Sequence, residues 1–384
     1  MKFFRPKFLT ALLFLFFAAH VQADHLLGGY LSYTHLSGTT YQIKLTVYRD
    51  CNSSTLFDGD ANSPISHAAI GVFQSNGQTL GTYGLFNPII SSIPAFYDSS
   101  CSNHNTHYCI EKAVYIDTIN FFSFSDTIAY TIVYQRCCLS SSVININNIA
   151  DVGETFSATI PPTNLFVNSS PTFDNFPSVL YYVNFPLTYL VLASDADGDS
   201  LEYALCAPYE GANGSDPSPP PFPPPYVNMS WAPPYTINNL MGGIPLAIDS
   251  LAGIITATPN TIGSFVVGVR VKEFRSGQLI NTSIINLMFN IDHCVAPSSI
   301  ASASGLGFTL YPNPATDELT ITTENRTPVD IYIYDMLGNC VLSHKNFSGN
   351  MISLKVNHLP PGYYLLKLTD QHGLSSSKGF IIAR

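Results

Sequence analysis

Apolar and polar residues alternate with a period of two along most of the chain, and long stretches with the helical period of 3.6 residues are absent. The alternating segments are rich in Thr, Val, Ile, Tyr and Phe, the residues enriched in β-strands. The clearest predicted strands span residues 39–50, 126–136, 263–274 and 282–292. The pattern therefore predicts an all-β protein.

Turn residues divide these strands into units. Among 384 residues there are 25 Gly and 27 Pro, and only 11% are charged, which suits sheets connected by turns. We expect tandem β-sandwich domains: a Cys-containing β domain at 24–160 and an immunoglobulin-like sandwich at 161–293. A linker of small residues follows at 294–307, and a small C-terminal β-sandwich is predicted at 308–384.

The amino-terminal residues have the composition of a signal peptide. Lys2, Arg5 and Lys7 form a basic start, residues 8–19 are apolar, and small residues end at Ala23. We therefore expect residues 1–23 to be removed during export. The apolar run is shorter than the roughly 20 residues of a spanning helix, and no transmembrane span is expected elsewhere.

The charge is unevenly distributed. Residues 308–384 hold six Lys/Arg and six Asp/Glu, so residues 24–307 keep seven basic and twenty acidic side chains. A nucleic-acid partner is excluded because its phosphates require clustered cations. An acidic exported surface suits divalent cations or uncharged glycans better.

Cysteines in an exported chain indicate disulfides. The sequence alone gives no connectivity, but adjacent cysteines rarely pair with each other, so we expect different partners for the vicinal pair 137–138. The disulfide candidates are Cys51, Cys101, Cys109, Cys137, Cys138, Cys206 and Cys294.

Zinc is the alternative at "CSNHNTHYC", where Cys101, His104, His107 and Cys109 could supply four ligands. The spacing matches no common zinc motif, so disulfides are favoured.

The segment "DADGDSLEY" is the best metal candidate. Asp195, Asp197 and Asp199 alternate around Gly198, like the first half of a calcium loop. A complete EF-hand loop is excluded because position 12, counted from Asp195, is Cys206 and not Glu. The alternative is an Asp-rich turn whose carboxylates cap backbone N–H groups.

Catalytic motifs are missing: the sequence has no GxSxG, no HExxH and no Gly-rich phosphate loop. We therefore expect a protein that is not an enzyme. The alternative is an exported hydrolase acting on polysaccharide, or its carbohydrate-binding accessory module. A hydrolase would need Glu111, Glu154 or Glu273 to converge on the Asp turn at a separation of roughly 5–9.5 Å.

The C-terminal segments "LYPNPATDELTI", "VDIYIYDMLGNCV" and "LPPGYYLLKLTD" resemble the type A sorting domain of the type IX secretion system of Bacteroidetes. The resemblance implies that residues 308–384 are recognised by the outer-membrane translocon, and that the protein becomes extracellular or attached to the cell surface. The residues that carry the motif are Tyr311, Pro312, Asn313, Pro314, Asp335, Gly338 and Gly362.

The preceding part is also similar to known proteins. "YQRCCLSSSVININN" and neighbouring segments resemble gliding-motility-associated and adhesin-like surface proteins of Bacteroidetes. "DADGDSLEYALCAPY" and residues 248–277 resemble their cadherin-like or PKD-like repeats. This similarity implies a surface or adhesion role without assigning a site. Together with the acidic charge and the Asp turn, it leads to the hypothesis of a protein that binds glycans or other surface proteins and whose β-domains are stiffened by Ca²⁺.

Three further features have alternative interpretations. Trp231 lies among prolines and tyrosines and could stack on a sugar, although a core position is more common. The Pro-rich residues 216–226 could be a ligand for a proline-binding module or a stiff connection. Thr118, Thr127 and Ser250 each follow an Asp, in triplets that resemble the O-glycosylation signal of Bacteroidetes.

Overall fold

The computed structural model describes residues 26–53, 56–93, 101, 108–177, 180–294, 306–323, 328–336, 338–371 and 374–383. Within these ranges the chain forms 25 β-strands and one 3-10 helix at Ile149–Asp151, which confirms the all-β prediction. The predicted signal peptide at 1–23 and most of the predicted linker at 294–307 lie outside the described residues.

The first fourteen strands are β1 (Leu26–Ser37), β2 (Thr40–Asp50), β3 (Ala68–Gln74), β4 (Thr79–Leu85), β5 (Ile89–Ile93), β6 (Ile110–Asn120), β7 (Tyr130–Arg136), β8 (Glu154–Ile160), β9 (Thr172–Phe173), β10 (Tyr181–Tyr182), β11 (Leu187–Leu190), β12 (Ala193–Ser194), β13 (Ser200–Cys206) and β14 (Tyr209–Glu210). The others are β15 (Ile244–Ile248), β16 (Ile254–Thr258), β17 (Gly263–Arg275), β18 (Gln278–Asp292), β19 (Phe308–Tyr311), β20 (Glu318–Thr323), β21 (Val329–Tyr334), β22 (Cys340–Phe347), β23 (Met351–Lys355), β24 (Gly362–Asp370) and β25 (Ser375–Ile382).

The four strands predicted most clearly from the alternation are present. They correspond to β2, β7, β17 and β18. In β2 the alternation places Tyr41, Ile43 and Leu45 in the core, where each is fully buried, as a period of two requires. Strand β7 begins four residues later than predicted because residues 126–128 form a turn and a bend.

Two large sheets form most of the body, residues 26–294. One has eight strands, in the order β13-β17-β18-β1-β2-β6-β5, with β10 parallel to β18. The other has five strands, in the order β14-β8-β7-β3-β4. Strand β8 contacts both β1 and β18 across the space between the sheets, so the body is a β-sandwich. Short sheets of β11-β16-β15 and β12-β9 complete it.

The eight-stranded sheet contains strands from both sides of residue 160, the boundary proposed from sequence. Strand β1 pairs with β18 at Gly29 and Asn286, and a large core cluster includes residues from Leu27 to Ile291. The disulfide Cys101–Cys294 also connects the two segments. A second cluster, between Leu26 and Ile160, fills the space between β2, β3, β7 and β8.

A glycine allows the close approach of β1 to β18. Gly28 has φ 131°, and a Cβ there would lie 2.2 Å from the carbonyl oxygen of Asn286. Next to this crossing, the fully buried Glu154 accepts a hydrogen bond of 3.0 Å from the Asn286 amide. The sandwich interior therefore contains a carboxyl group.

The cysteine pairing corrects two expectations. Cys51 bonds to Cys109, Cys101 bonds to Cys294, and the adjacent pair Cys137–Cys138 bonds to itself across a cis peptide bond. The expectation of different partners for that pair is wrong because the other bridged cysteines pair among themselves.

Cys206, which we expected to be bridged, is a buried free thiol. Burial raises its pKa to about 11, so it stays protonated at neutral pH. Cys340 is exposed and also free.

The tail, residues 306–383, has its own sheets and its own core. Its sheets have the orders β19-β20-β23 and β22-β21-β24-β25, without a strand of the body. Its core cluster runs from Leu306 to Ile382 and includes Ile321, Ile333 and Phe380, which are fully buried. The tail is the small C-terminal β-sandwich predicted from the sequence.

Candidate functional site

The predicted Asp turn lies between β12 and β13. Oδ1 of Asp195 accepts hydrogen bonds from the backbone N–H groups of Asp197 (3.0 Å) and Asp199 (2.9 Å). Gly198 has φ 79°, a conformation that glycine adopts without strain. Oδ1 of Asp195 thus closes the turn, as the capping interpretation predicts. Oδ2 of the same carboxylate accepts neither of these hydrogen bonds.

An arginine from another strand binds this turn. Arg275 ends β17, before a tight hairpin turn at residues 276–277, and its guanidinium contacts Asp199 at 2.8 Å and 2.6 Å. It also donates to the carbonyl oxygen of Val167 at 2.9 Å and to Oδ1 of Asn168 at 2.8 Å. This guanidinium holds the pKa of Asp199 below its usual range.

Glu273 lies two residues before Arg275, so both side chains are on the same face of β17. Glu273 is fully buried, and its Oε2 accepts a hydrogen bond of 3.2 Å from the amide of Asn281. Burial, with a contribution from the charge of Asp195, raises the pKa of Glu273 to about 8.

The turn and the strand together form an acidic cluster of Asp195, Asp199 and Glu273. One carboxylate oxygen from each residue lies within 4.8 Å of the others. Oδ2 of Asp195 and Oε1 of Glu273 are buried and accept no hydrogen bond of good geometry. Burial also raises the pKa of Asp195.

Asp197, the third predicted ligand, is not part of this cluster. Its carboxylate accepts a hydrogen bond of 2.6 Å from the backbone N–H of Ser169 and lies 3.4 Å from Arg275. It fixes the turn to residues 167–169 instead. Glu273 takes its place because β13 pairs with β17, with Leu201 opposite Glu273. No local spacing in the sequence indicates this pairing.

The other glutamates considered for a hydrolase lie elsewhere. Glu111 pairs with Arg49 at 2.7 Å, and Glu154 contacts Asn286 in the sandwich interior. Of the three glutamates, the structure brings Glu273 alone to the Asp turn.

The zinc alternative at residues 101–109 is not supported. Cys101 and Cys109 are bonded to different cysteines, so neither thiolate is available as a ligand. His104 and His107 lie outside the described residues.

The structure also shows where three other features noted in the sequence lie. Trp231 is partly buried and packs against the large core cluster. The Pro-rich segment 216–226 is bound by β7: Arg136 donates to the Pro217 carbonyl oxygen at 2.7 Å, and the Phe222 N–H donates to Gln135 at 2.9 Å. Thr118, Thr127 and Ser250 are exposed.

In the tail, the YPNP turn holds the last strand. Tyr311 ends β19, and the bonds before Pro312 and Pro314 are both cis. The side chain of Asn313 accepts a hydrogen bond of 2.8 Å from the N–H of Ile381, and the Ala315 N–H donates to the Ile381 carbonyl oxygen at 2.7 Å. The two ends of the sorting segment therefore form one unit.

The other sorting-motif residues lie in the second sheet of the tail. Asp335 and Gly338, which has φ 81°, form the turn between β21 and β22, where Oδ1 of Asp335 accepts from the Asn339 N–H at 2.9 Å. Gly362 is the first residue of β24 and pairs with Ile382, so it lies at the start of a strand.

We expect Asn313→Ala to destabilise the tail and lower export. The Ile381 N–H would lose its acceptor, at a cost of about 1–2 kcal/mol. Asn313→Asp keeps an acceptor oxygen and should retain most of the stability and export. Two measurements test this prediction: the melting temperature of the isolated tail and the fraction of the full chain that is secreted. Equal export of wild type and Asn313→Ala would contradict it.

Comparison with known proteins identifies the tail. Residues 309–383 match the family described as "Secretion system C-terminal sorting domain". The chain is 34% identical over 74 residues to an endo-acting ulvan lyase of Formosa agariphila. That stretch is 19% of this chain and 14% of the relative, so the chain spans a small part of the length of that protein.

The chain has weak likenesses to solved structures. Latent PorU of Porphyromonas gingivalis is 13% identical, with 92% of this chain and 34% of that chain covered, at a TM-score of 0.20. The four N-terminal immunoglobulin domains of Dscam1 isoform 4.44 are 10% identical, with 93% of this chain and 74% of that chain covered, at a TM-score of 0.16. At these scores the likenesses support no conclusion about the fold or the function of this chain.

The sorting domain determines the localisation. The protein is exported by the type IX secretion system to the cell surface or the extracellular space, and its tail interacts with that system. No helix among the described residues is long and apolar enough to cross a membrane.

Proposed function

We propose that the body is a non-enzymatic binding module of the adhesion type, which meets glycans or other surface proteins outside the cell. The observation that carries the proposal is the separate core of the sorting tail, because it leaves the acidic, disulfide-bonded sandwich as the exported cargo. Twenty acidic and seven basic side chains in residues 24–307 favour neutral glycans or cation-bridged partners over anionic ones.

The alternative is an exported hydrolase or a carbohydrate-binding accessory module. Its support is that one relative acts on ulvan, but the similarity covers 14% of that protein. The acidic cluster disfavours a glycosidase. Its carboxylate oxygens lie within 4.8 Å of one another and Glu273 is fully buried, whereas a sugar must fit between carboxylates roughly 5–9.5 Å apart.

A combined binding and product assay tests the proposal. The purified chain would be added to immobilised polysaccharides and to cells of the producing organism, and both retained protein and released saccharide would be measured. We expect retention without released product. The isolated tail, which has its own core, is the matched control and should not be retained. Steady release of saccharide by the native chain, abolished by heat denaturation, would establish the hydrolase instead.

A further inference from the structure

We propose that Asp195, Asp199 and Glu273 form a calcium site at one end of the body, with Arg275 as a fixed counter-charge. This ligand set differs from the sequence-based set, because Glu273 replaces Asp197.

The distances suit calcium. Ca²⁺ binds oxygen ligands at about 2.3–2.6 Å, so ligands on opposite sides of the ion are about 4.6–5.2 Å apart. One oxygen from each of the three carboxylates lies within 4.8 Å of the others. Mg²⁺ requires near-ideal octahedral geometry and usually keeps several waters, which suits a site of three protein carboxylates less well, and the lack of sulfur or nitrogen ligands disfavours zinc.

The buried oxygens provide a separate reason. Glu273 is 0% exposed, and its Oε1 accepts no hydrogen bond of good geometry, like Oδ2 of Asp195. A buried carboxylate oxygen without a partner is costly. A hard cation between these two oxygens satisfies both, and an Asp-rich turn on the surface would not need such a buried glutamate.

The local charge also favours a cation. Four carboxylates, those of Asp195, Asp197, Asp199 and Glu273, and the guanidinium of Arg275 have a net charge of −3 when all are ionised, which a divalent cation reduces to −1. The Arg275 guanidinium donates one hydrogen bond to each carboxylate oxygen of Asp199. Each of these oxygens has a second lone pair that can bind an ion.

An occupied site would connect three segments of the body. The Asp turn follows β12, Glu273 belongs to β17, and residues 167–169 are already bound to Asp197 and Arg275. The ion would fix this end of the sandwich relative to the long β17–β18 hairpin.

Calorimetric titration of the purified full chain with CaCl₂, and in parallel with MgCl₂, tests the site. We expect one Ca²⁺ per chain, an increase in melting temperature, and weaker binding of Mg²⁺. Glu273→Gln and Asp195→Asn should weaken calcium binding by at least about 10-fold, because loss of a ligand costs no less than loss of an outer-shell partner.

Glu202→Gln is the matched control. Glu202 lies on β13, opposite Lys272. The two side chains are half exposed, and the Lys272 ammonium lies 3.4 Å from the Glu202 carboxylate. The calcium affinity of the Glu202→Gln variant should therefore equal that of the wild type. If the wild-type chain shows neither calcium-dependent heat nor a shift in melting temperature, the proposal is overturned, whether or not the variants fold. Unchanged affinity in a folded Glu273→Gln variant would also overturn it.

Discussion

Deletion of residues 308–384 is expected to abolish export across the outer membrane and trap the chain in the periplasm. The deleted segment is the sorting domain, and it forms its core and both of its sheets from its own residues. Its removal should therefore leave the body folded while the secretion system loses the surface that it recognises. Cell fractionation followed by immunoblotting of the periplasm, the cell surface and the medium measures the effect.

A transfer experiment is the matched control for the deletion. Residues 306–384, fused to a periplasmic reporter, should move the reporter to the surface or the medium, since the tail brings its own core. The melting temperature of the deleted chain shows whether the body stays folded. Secretion of the deleted chain at the wild-type level would show that the tail is not the export signal.

The second large effect concerns Glu154, the carboxyl group inside the sandwich. Burial raises its pKa to about 8, from 4.5 in the unfolded chain, and the Asn286 amide is its hydrogen-bond donor. The folded state thus holds a proton that the unfolded state releases. The contribution of Glu154 to the free energy of unfolding is complete below pH 4.5 and is lost as the pH rises towards 8.

Glu154→Gln should remove this pH dependence. The amide is neutral at every pH, and its NH₂ group can donate to Oδ1 of Asn286, which has no partner at present. At pH 9 the free energy of unfolding of the variant should exceed that of the wild type by on the order of 4 kcal/mol. Below pH 4.5 the two proteins should differ little. Urea denaturation at pH 5, 7 and 9 measures this difference.

Glu111→Gln is the control for the Glu154 variant. Glu111 is partly exposed and pairs with Arg49 at 2.7 Å, and an exposed pair contributes about 1 kcal/mol or less. Its substitution should not increase stability at pH 9. If the free energy of unfolding varied with pH in the same way for wild type and Glu154→Gln, Glu154 would ionise normally in the folded protein and the prediction would be wrong.

The fold class followed from the sequence because strand alternation is a local property. The inward residues of β2, such as Ile43 and Leu45, are apolar at every second position, and burial on one face of a sheet requires that pattern. The sorting tail was also predictable, since its turn and strands occur in order within one short segment.

The presence of disulfides was predicted from the sequence, but neither their number nor their pairing. Eight cysteines in an exported chain indicate bridges, yet the pairing depends on which Cβ atoms come close after folding. The bond between Cys137 and Cys138 and the free thiol of Cys206 could not be derived from spacing.

By itself the sequence determined an all-β chain, its export signal and an Asp-rich turn, because each depends on residues near one another along the chain. Only the tertiary structure decided that Glu273 joins Asp195 and Asp199, that Asp197 binds Ser169 instead, and that Glu154 is buried against Asn286. These contacts depend on the register between strands distant in sequence. A shift of one residue in the register of β17 or of β8 would turn Glu273 or Glu154 to the opposite face of its sheet.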